Sequence, residues 1–584
     1  EPVVKVEVAI GRRRTWYGQR SPGRHALVHL GRTIPAREWP LPIEELVGWL
    51  RRLRVDHGEG RDGVAVHRSS DPGHWIVTFG WSGAERARTI AEAALALTER
   101  DVSSVRRTHL TGSQERLLAR WTARIEDSRA TPPAWIRDAD RTMPIVSITG
   151  TNGKSTVTRL ITHILKVAGQ RVGTTTSDGI LVDERLVDAG DWTGPAGAWQ
   201  ILGRSDLDVA VLETARGGLV LRGMGYESND ASVVTNVSSD HLDLQGIHTL
   251  PELAEVKATV ARATREGGWA VLNGDDPLVA AIARRVRANV AMFSLGDGSS
   301  AGGAVRRAVA RGGRGYVLRD GWLVEIDGHR GPGATSGDGG AGEPVEHRII
   351  EVDHVPIALG GLARHNVANA LAAAGAARGL GITLAQLRDG LADFHPTSDR
   401  SPGRLNLFRV GSRVVIVDFA HNEAGVNAVL DVAEGIAGGA AGRMAPVTAI
   451  IGTAGDRPDD TLRGIGRIAG RRAQRVAIKE TLKYLRGRSR ESIVGEILAG
   501  VTATGVAAAD VPIYDSETGA LRAELARNGE GAAKPDAPRV IVLMCHEERD
   551  EVFALLEELG ARPIDIGAEL TSLIPRFQGR SQRR

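Results

Sequence analysis

The 584-residue chain is 42% hydrophobic and 25% charged, the balance of a globular protein with material for about three or four domain cores. Its 74 basic and 71 acidic residues leave a formal charge of +3, with no basic block interleaved with aromatics, which argues against nucleic acid as a partner. One cysteine, Cys545, excludes an intramolecular disulfide and a multi-cysteine zinc site; no long apolar run or charged-then-apolar leader is present, so the expectation is a cytoplasmic protein without a membrane span.

Residues 1–140 alternate strand-like pieces (3–10, 26–30, 75–79) with helical ones (43–53, 84–97), which predicts a small α+β domain. Arg12, Arg13, Arg14 and His57 are its most noticeable polar residues and read as surface rather than as a site. The polar stretch 127–141, with Pro132 and Pro133, reads as a linker.

The next stretch organises the chain. Ile145, Val146 and Ile148 form a short apolar β-branched run that ends at Gly150, and Val157, Leu160, Ile161, Ile164 and Leu165 then recur at helical spacing. Between them lie Gly150, Thr151, Asn152, Gly153, Lys154, Ser155 and Thr156. Such a turn points backbone N–H groups at an anion, adds the positive end of a helix and a lysine charge, and leaves a serine hydroxyl for Mg²⁺. Ile148 stands where the usual nucleotide-binding loop has its first glycine.

From 144 to about 295 strands and helices alternate, the pattern of a parallel sheet with crossover helices. The buried-strand candidates 209–212, 231–235 and 269–272 each run into polar residues, and ligands collect at the carboxyl ends of such strands. Residues 296–345 read as an insertion with a hairpin (315–318 and 322–326) and a low-complexity segment at 331–342. An alanine-rich helix follows at 366–377. A second alternating region runs from about 399 to the end, with strands at 414–417, 447–451, 475–478 and 540–544 and loops at 435–445 and 528–538. Cys545, at the end of the last apolar run, reads as a buried structural thiol.

Glu213, His241 and Lys257 follow successive sheet elements, where they could converge on Mg²⁺ and phosphates held by the loop. A carboxylate and an imidazole suit a divalent ion, whereas a lysine ammonium has no lone pair to offer unless CO₂ converts it to a carbamate. Taken alone, Lys257 reads as a solvated helix residue.

These motifs carry a family resemblance. The loop 149–156, the turn Glu213-Thr214-Ala215-Arg216-Gly217-Gly218, the run from Thr235 through His241 to Asp243, and Leu272-Asn273-Gly274-Asp275-Asp276 resemble, in order and spacing, the central domain of Mur ligases. Arg364 through Ala370 is similar to that superfamily's adenine-side helix, and Pro402-Gly403-Arg404 and Asp418-Phe419-Ala420-His421-Asn422 to its C-terminal motifs. Within the superfamily, Glu213 to Gly218 with Leu221-Arg222, and Lys479-Glu480 with Arg486-Gly487-Arg488, resemble the Mur-like half of cyanophycin synthetases. Residues 1–140 are too few for both a small domain and the ATP-grasp module of those enzymes.

The resemblance implies an α/β protein of three domains: 1–140, small and α+β; 141–398, a central parallel-sheet domain with the phosphate loop; 399–584, a Rossmann-like C-terminal domain. It implies an ADP-forming ligase that activates a carboxylate as an acyl phosphate and joins it to an amine, for example arginine or lysine onto an aspartate side chain of a peptide or polymer. Lys154, Glu213, His241 and Lys257 are then the catalytic set; Gly150 to Thr156, Asn366, Arg404 and Asp418 hold ATP, the last two reaching it only on closure of the C-terminal domain. Ser155 and Glu213 would serve one Mg²⁺, and His241 and a carbamylated Lys257 a second. His421 reads equally as a substrate contact or as packing at the domain seam. A regulatory Mur-like subunit without ligation, or a ligase like folylpolyglutamate synthase, are the alternatives, and a homo-oligomer is compatible with either.

Overall fold

The computed structural model describes residues 3–9, 21–22, 38–57, 64–68, 74–80, 84–100, 111–128, 135–239, 247–296, 303–328, 344–439, 446–527, 539–564, 566 and 569. Three sheets organise them. In the first, His74–Gly80 lies between Val3–Ala9 and Ala65–Arg68, with antiparallel pairing throughout. Helices Leu41–Asp56, Ala84–Glu99 and Gly112–Asp127 accompany this sheet. In the first helix Ile43, Leu46, Val47, Leu50 and Leu53 recur at the spacing of one face, and all are buried against Val77, Phe79 and Ile90. His57 follows that helix and donates its backbone N–H to Leu53 O; Arg12 to Arg14 and the strand expected at 26–30 lie outside the described residues.

The second sheet has eleven described strands. Its middle is parallel from Arg314–Arg319 through Asn289–Ser294, Thr264–Asn273, Asn229–Val234, Ile145–Thr149 and Val209–Glu213 to Val172–Thr175. Ile145–Thr149 is central, its five residues all buried, because the helices on both faces leave no solvated side. The chain leaves it toward Val172–Thr175 on one flank and later supplies Asn229–Val234 on the other. That reversal of strand order opens a crevice at the carboxyl end of Ile145–Thr149.

The third sheet is parallel from Ile513–Tyr514 through Arg475–Lys479, Val447–Ile451 and Val540–Met544 to Arg413–Asp418, with Asn406–Val410 and Arg562–Pro563 antiparallel at one edge. The fold is thus α/β, with a smaller mixed unit at its N-terminal end.

Three expectations need correction. The hairpin expected as an insertion belongs to the main sheet, since Arg314–Arg319 pairs in parallel with Asn289–Ser294 and Trp322–Asp327 continues the ladder. The expected loop at 435–445 begins inside helix Glu423–Gly439. Gly435 serves packing there, because a Cβ on it would lie 2.2 Å from Leu362 Cδ1. Residues 135–141 of the expected linker are fastened to the second unit by the Arg141–Asp230 ion pair and by the Ser228 hydroxyl, which donates to Asp138 at 2.6 Å. The low-complexity segment at 331–342 and the loop at 528–538 lie outside the described residues.

Candidate active site

The loop after Ile145–Thr149 is shaped by two glycines. Gly150 has φ +151°, and a Cβ there would come 1.8 Å from Thr235 Oγ1; Gly153 has φ +86°, and its Cβ would come 2.4 Å from Asn369 Oδ1. Any side chain at either position meets both backbone strain and an occupied space. The end of the adjacent strand Asn229–Val234 grips the loop. Thr151 N donates to Asn236 O (2.9 Å), Asn152 N to Asn236 Oδ1 (2.9 Å), and Thr235 Oγ1 to Asn152 O (2.6 Å). Helix Lys154–Val167 then starts with Lys154, whose ammonium donates to Thr151 O at 2.9 Å, and with Ser155 and Thr156, both buried.

Glu213 ends the neighbouring strand and is 3% exposed. Burial raises its pKa; Lys154, Arg404 and a hydrogen bond with Ser155 oppose that rise. Its Oε2 is buried without a hydrogen-bond partner. An orphaned carboxylate oxygen beside a serine hydroxyl is a donor set that suits a hard cation such as Mg²⁺.

The third unit closes over this loop. Arg404 Nη2 lies 3.3 Å from Ser155 Oγ, with its guanidinium 4.6 Å from the Phe419 ring centre. Asn422 Nδ2 donates to Asn152 Oδ1 at 2.9 Å. Asp418, at the end of Arg413–Asp418, accepts Leu405 N at 2.8 Å. Burial, partly offset by Arg404, pushes its carboxyl up to about 6. Arg404 therefore touches the loop without any further movement of the third unit. Together these residues line a cavity of about 870 Å³ that holds Thr151 to Thr156, Glu213, Asn366, Arg404, Asp418 and His421.

Gly150 shapes the loop but is not itself in the cavity wall. Asn366 is 4% exposed; it donates to Ile357 O (3.1 Å) and accepts from Asn369 (3.0 Å), the residue that abuts Gly153. Lys257 is buried on helix Leu250–Arg262 and is not among the residues lining the cavity, contrary to the solvated reading of it taken alone. His241 lies outside the described residues. His421 lines the cavity and bonds through Nδ1 to Phe419 O at 2.9 Å. Cys545 is buried, its thiol donating to Glu517 at 3.0 Å.

Asp178 escaped sequence reasoning. It follows Val172–Thr175 and receives Arg159 (2.8 Å) from its own unit and Arg549 (2.7 Å) from the third. Burial pushes its pKa up, but Arg404, Arg159 and Arg549 outweigh burial and hold it at about 2. Since 3.8 is its ordinary value, the stabilisation is complete above about pH 4 and is lost as pH falls through about 2; it is worth about 2 kcal/mol. Asp178→Ala is expected to open the seam at neutral pH, seen as a larger radius of gyration in small-angle scattering. An unchanged radius would remove Asp178 from the closure.

Residues 148–377 match the Mur ligase middle domain, and the chain carries that domain. Beyond it, the chain is 38% identical over 359 residues to cyanophycin synthetase of Crocosphaera subtropica, which covers 62% of this chain and 38% of the relative. It is 28% identical over 367 residues to UDP-N-acetylmuramoyl-L-alanyl-D-glutamate–2,6-diaminopimelate ligase of Vibrio vulnificus, covering 62% of this chain and 65% of that one. The chain therefore spans about two fifths of the length of the cyanophycin synthetases it matches. Mycobacterium tuberculosis folylpolyglutamate synthase, solved with ADP and AMPPCP, superposes with a TM-score of 0.49 at 20% identity over 73% of this chain and 92% of that one. Among the described residues no helix is long and apolar enough to cross a membrane.

Proposed function

We propose that this chain is an ATP-dependent, ADP-forming carboxylate–amine ligase, built as a small domain (1–140), a central nucleotide domain (141–398) and a C-terminal domain (399–584). The observation that carries the reading is one cavity holding Lys154, Ser155 and the half-orphaned Glu213 from one unit and Arg404 and Asp418 from another. ATP with Mg²⁺ would supply the phosphoryl group that turns a carboxylate into an acyl phosphate, with ADP released, and an amine would then attack the acyl carbon and displace inorganic phosphate.

The chain's own residues do the positioning and charge compensation on which phosphoryl transfer depends. Lys154 and Arg404 bring positive charge to the loop, and Gly150 and Gly153 let its backbone approach an anion. Ser155 and Glu213 would hold one Mg²⁺; a second would need His241 and a carbamylated Lys257, the latter buried and outside the cavity lining. Asn366 and Asp418 complete the nucleotide's surroundings. The contacts of Arg404 and Asn422 with the loop join the two units beside the cavity, an arrangement that would limit hydrolysis of an acyl phosphate by water. Similarity to cyanophycin synthetase supports a basic amino acid as the amine and an aspartate-bearing peptide or polymer as the carboxylate. Purified protein with ATP, Mg²⁺, a panel of amino acids and short aspartate peptides should release phosphate only with the matching pair; ATP binding with no release for any pair would favour a regulatory subunit.

Asp418 gives this reading a pH signature. Its carboxyl ionises near 6, above its ordinary 3.8, so the fold disfavours the charged form and loses stability as pH rises between those values. Nucleotide affinity is expected to fall as pH drops through about 6, and Asp418→Asn should abolish that limb while raising the melting temperature above pH 6. A limb that survives in the variant would assign it elsewhere.

A further inference from the structure

At the cavity wall of the third unit, which His546 lines, lies a polar cluster that reaches back to the buried Lys479 and Glu517 and that the ligation chemistry leaves unused. Lys479 ends strand Arg475–Lys479 with its side chain fully buried, and its stem fits because Gly452 has no Cβ; one there would lie 2.6 Å from Lys479 Cε. Its ammonium faces Glu517 Oε1 (2.5 Å), His546 Nδ1 (2.9 Å) and Thr481 Oγ1 (3.5 Å), one acceptor for each of its three N–H groups. Glu517 also accepts the backbone N–H groups of His546, Glu547 and Glu548 and the Cys545 thiol. Burial pushes the pKa of that carboxylate up, but the Lys479 charge foremost, helped by the Cys545 thiol, outweighs burial and holds it at about 2.

An ammonium has no lone pair, so His546 Nδ1 must accept and the imidazole proton must reside on Nε2. Nε2 lies 3.0 Å from Ala420 O. The ring thus donates into the turn Asp418-Phe419-Ala420-His421, whose other carbonyls are also taken: Asp418 O by Cys545 N (2.8 Å), Phe419 O by His421 Nδ1 (2.9 Å) and His421 O by Thr453 Oγ1 (3.1 Å). The same ring packs edge-on against Phe419, 5.0 Å between centres, and Phe419 carries the Arg404 guanidinium on its face. The charged or titratable groups facing His546 are Lys479, Glu517 and His421; burial first, then Lys479, keeps the ring neutral against the pull of Glu517.

We propose that Lys479 and His546 are positioning residues: Lys479 fixes the neutral Nε2–H form of His546, and His546 fixes the turn that presents Asp418, Phe419 and, through Phe419, Arg404 to the nucleotide. The proposal rests on the nucleotide-site reading above, and its test separates the two. His546→Asn keeps an acceptor for Lys479 but nothing that reaches Ala420 O; His546→Gln places an amide N–H where Nε2–H stands. Calorimetric titration with ATP and Mg²⁺ should show an affinity loss of about tenfold for the Asn variant and less than about threefold for the Gln variant, the difference one hydrogen bond makes. A role confined to satisfying Lys479 predicts the reverse order or no difference, and either would overturn the proposal. Nitrogen NMR of histidine-labelled wild type should find the His546 ring in the Nε2–H form from about pH 6 to 8, and Lys479→Met should lose that fixed form. An Nδ1-protonated or charged ring in wild type would overturn the relay. If wild type binds no nucleotide, the nucleotide-site reading falls while the ring spectrum still decides the relay.

Discussion

Lys154→Ala is expected to lower ATP-dependent phosphate release by about a hundred- to a thousandfold, the cost of removing one preorganised charge from a phosphoryl-transfer site. The ammonium is fixed by the loop it serves: it donates to Thr151 O at 2.9 Å and acts on the buried Glu213 carboxylate, whose burial it partly compensates. Its loss leaves Glu213 with Arg404 and Ser155 only, so a further rise in the Glu213 pKa should accompany it. Steady-state phosphate release with the matched substrates measures the first effect, and activity within about threefold of wild type would remove Lys154 from the chemistry.

Gly150→Ala is the second large effect. The new methyl carbon would lie 1.8 Å from Thr235 Oγ1 and 3.2 Å from Asn236 N, on a backbone at φ +151° that a side chain strains. Thr235 and Asn236 are the residues that grip the loop, so the clash displaces the grip itself. A destabilisation of about 2–4 kcal/mol and loss of nucleotide binding are expected, read by chemical denaturation and calorimetry. Gly217 is the control: a Cβ there meets nothing within 4 Å, and Gly217→Ala should change stability by less than about 0.5 kcal/mol. Equal behaviour of the two variants would contradict the assigned loop geometry.

The phosphate loop was legible because its causes are local: an apolar strand, two glycines, a lysine and an amphipathic helix lie within one short stretch. Glu213 and Asp418 were legible for a related reason, since each stands at the carboxyl end of a strand in a parallel sheet. Asp178 was not, because its role is created by Arg549, 371 positions away, and nothing about an aspartate in a turn announces such a partner. Asn422 sat inside a quoted motif, yet its bond to Asn152 spans 270 positions and depends on how two units meet. Gly435 misled through composition: a glycine that thins a helix for packing reads like a loop until its neighbour Leu362 is known. The hairpin at 314–327 misled through its low-complexity surroundings, although its strands complete the central sheet.

Heavy-oxygen transfer tests the central claim most directly. A carboxylate substrate labelled with heavy oxygen, turned over with ATP and the matching amine, should deliver one labelled oxygen to each phosphate released, as carboxylate attack on the phosphoryl group requires. Phosphate that carries oxygen from solvent water, or release of AMP in place of ADP, would contradict it.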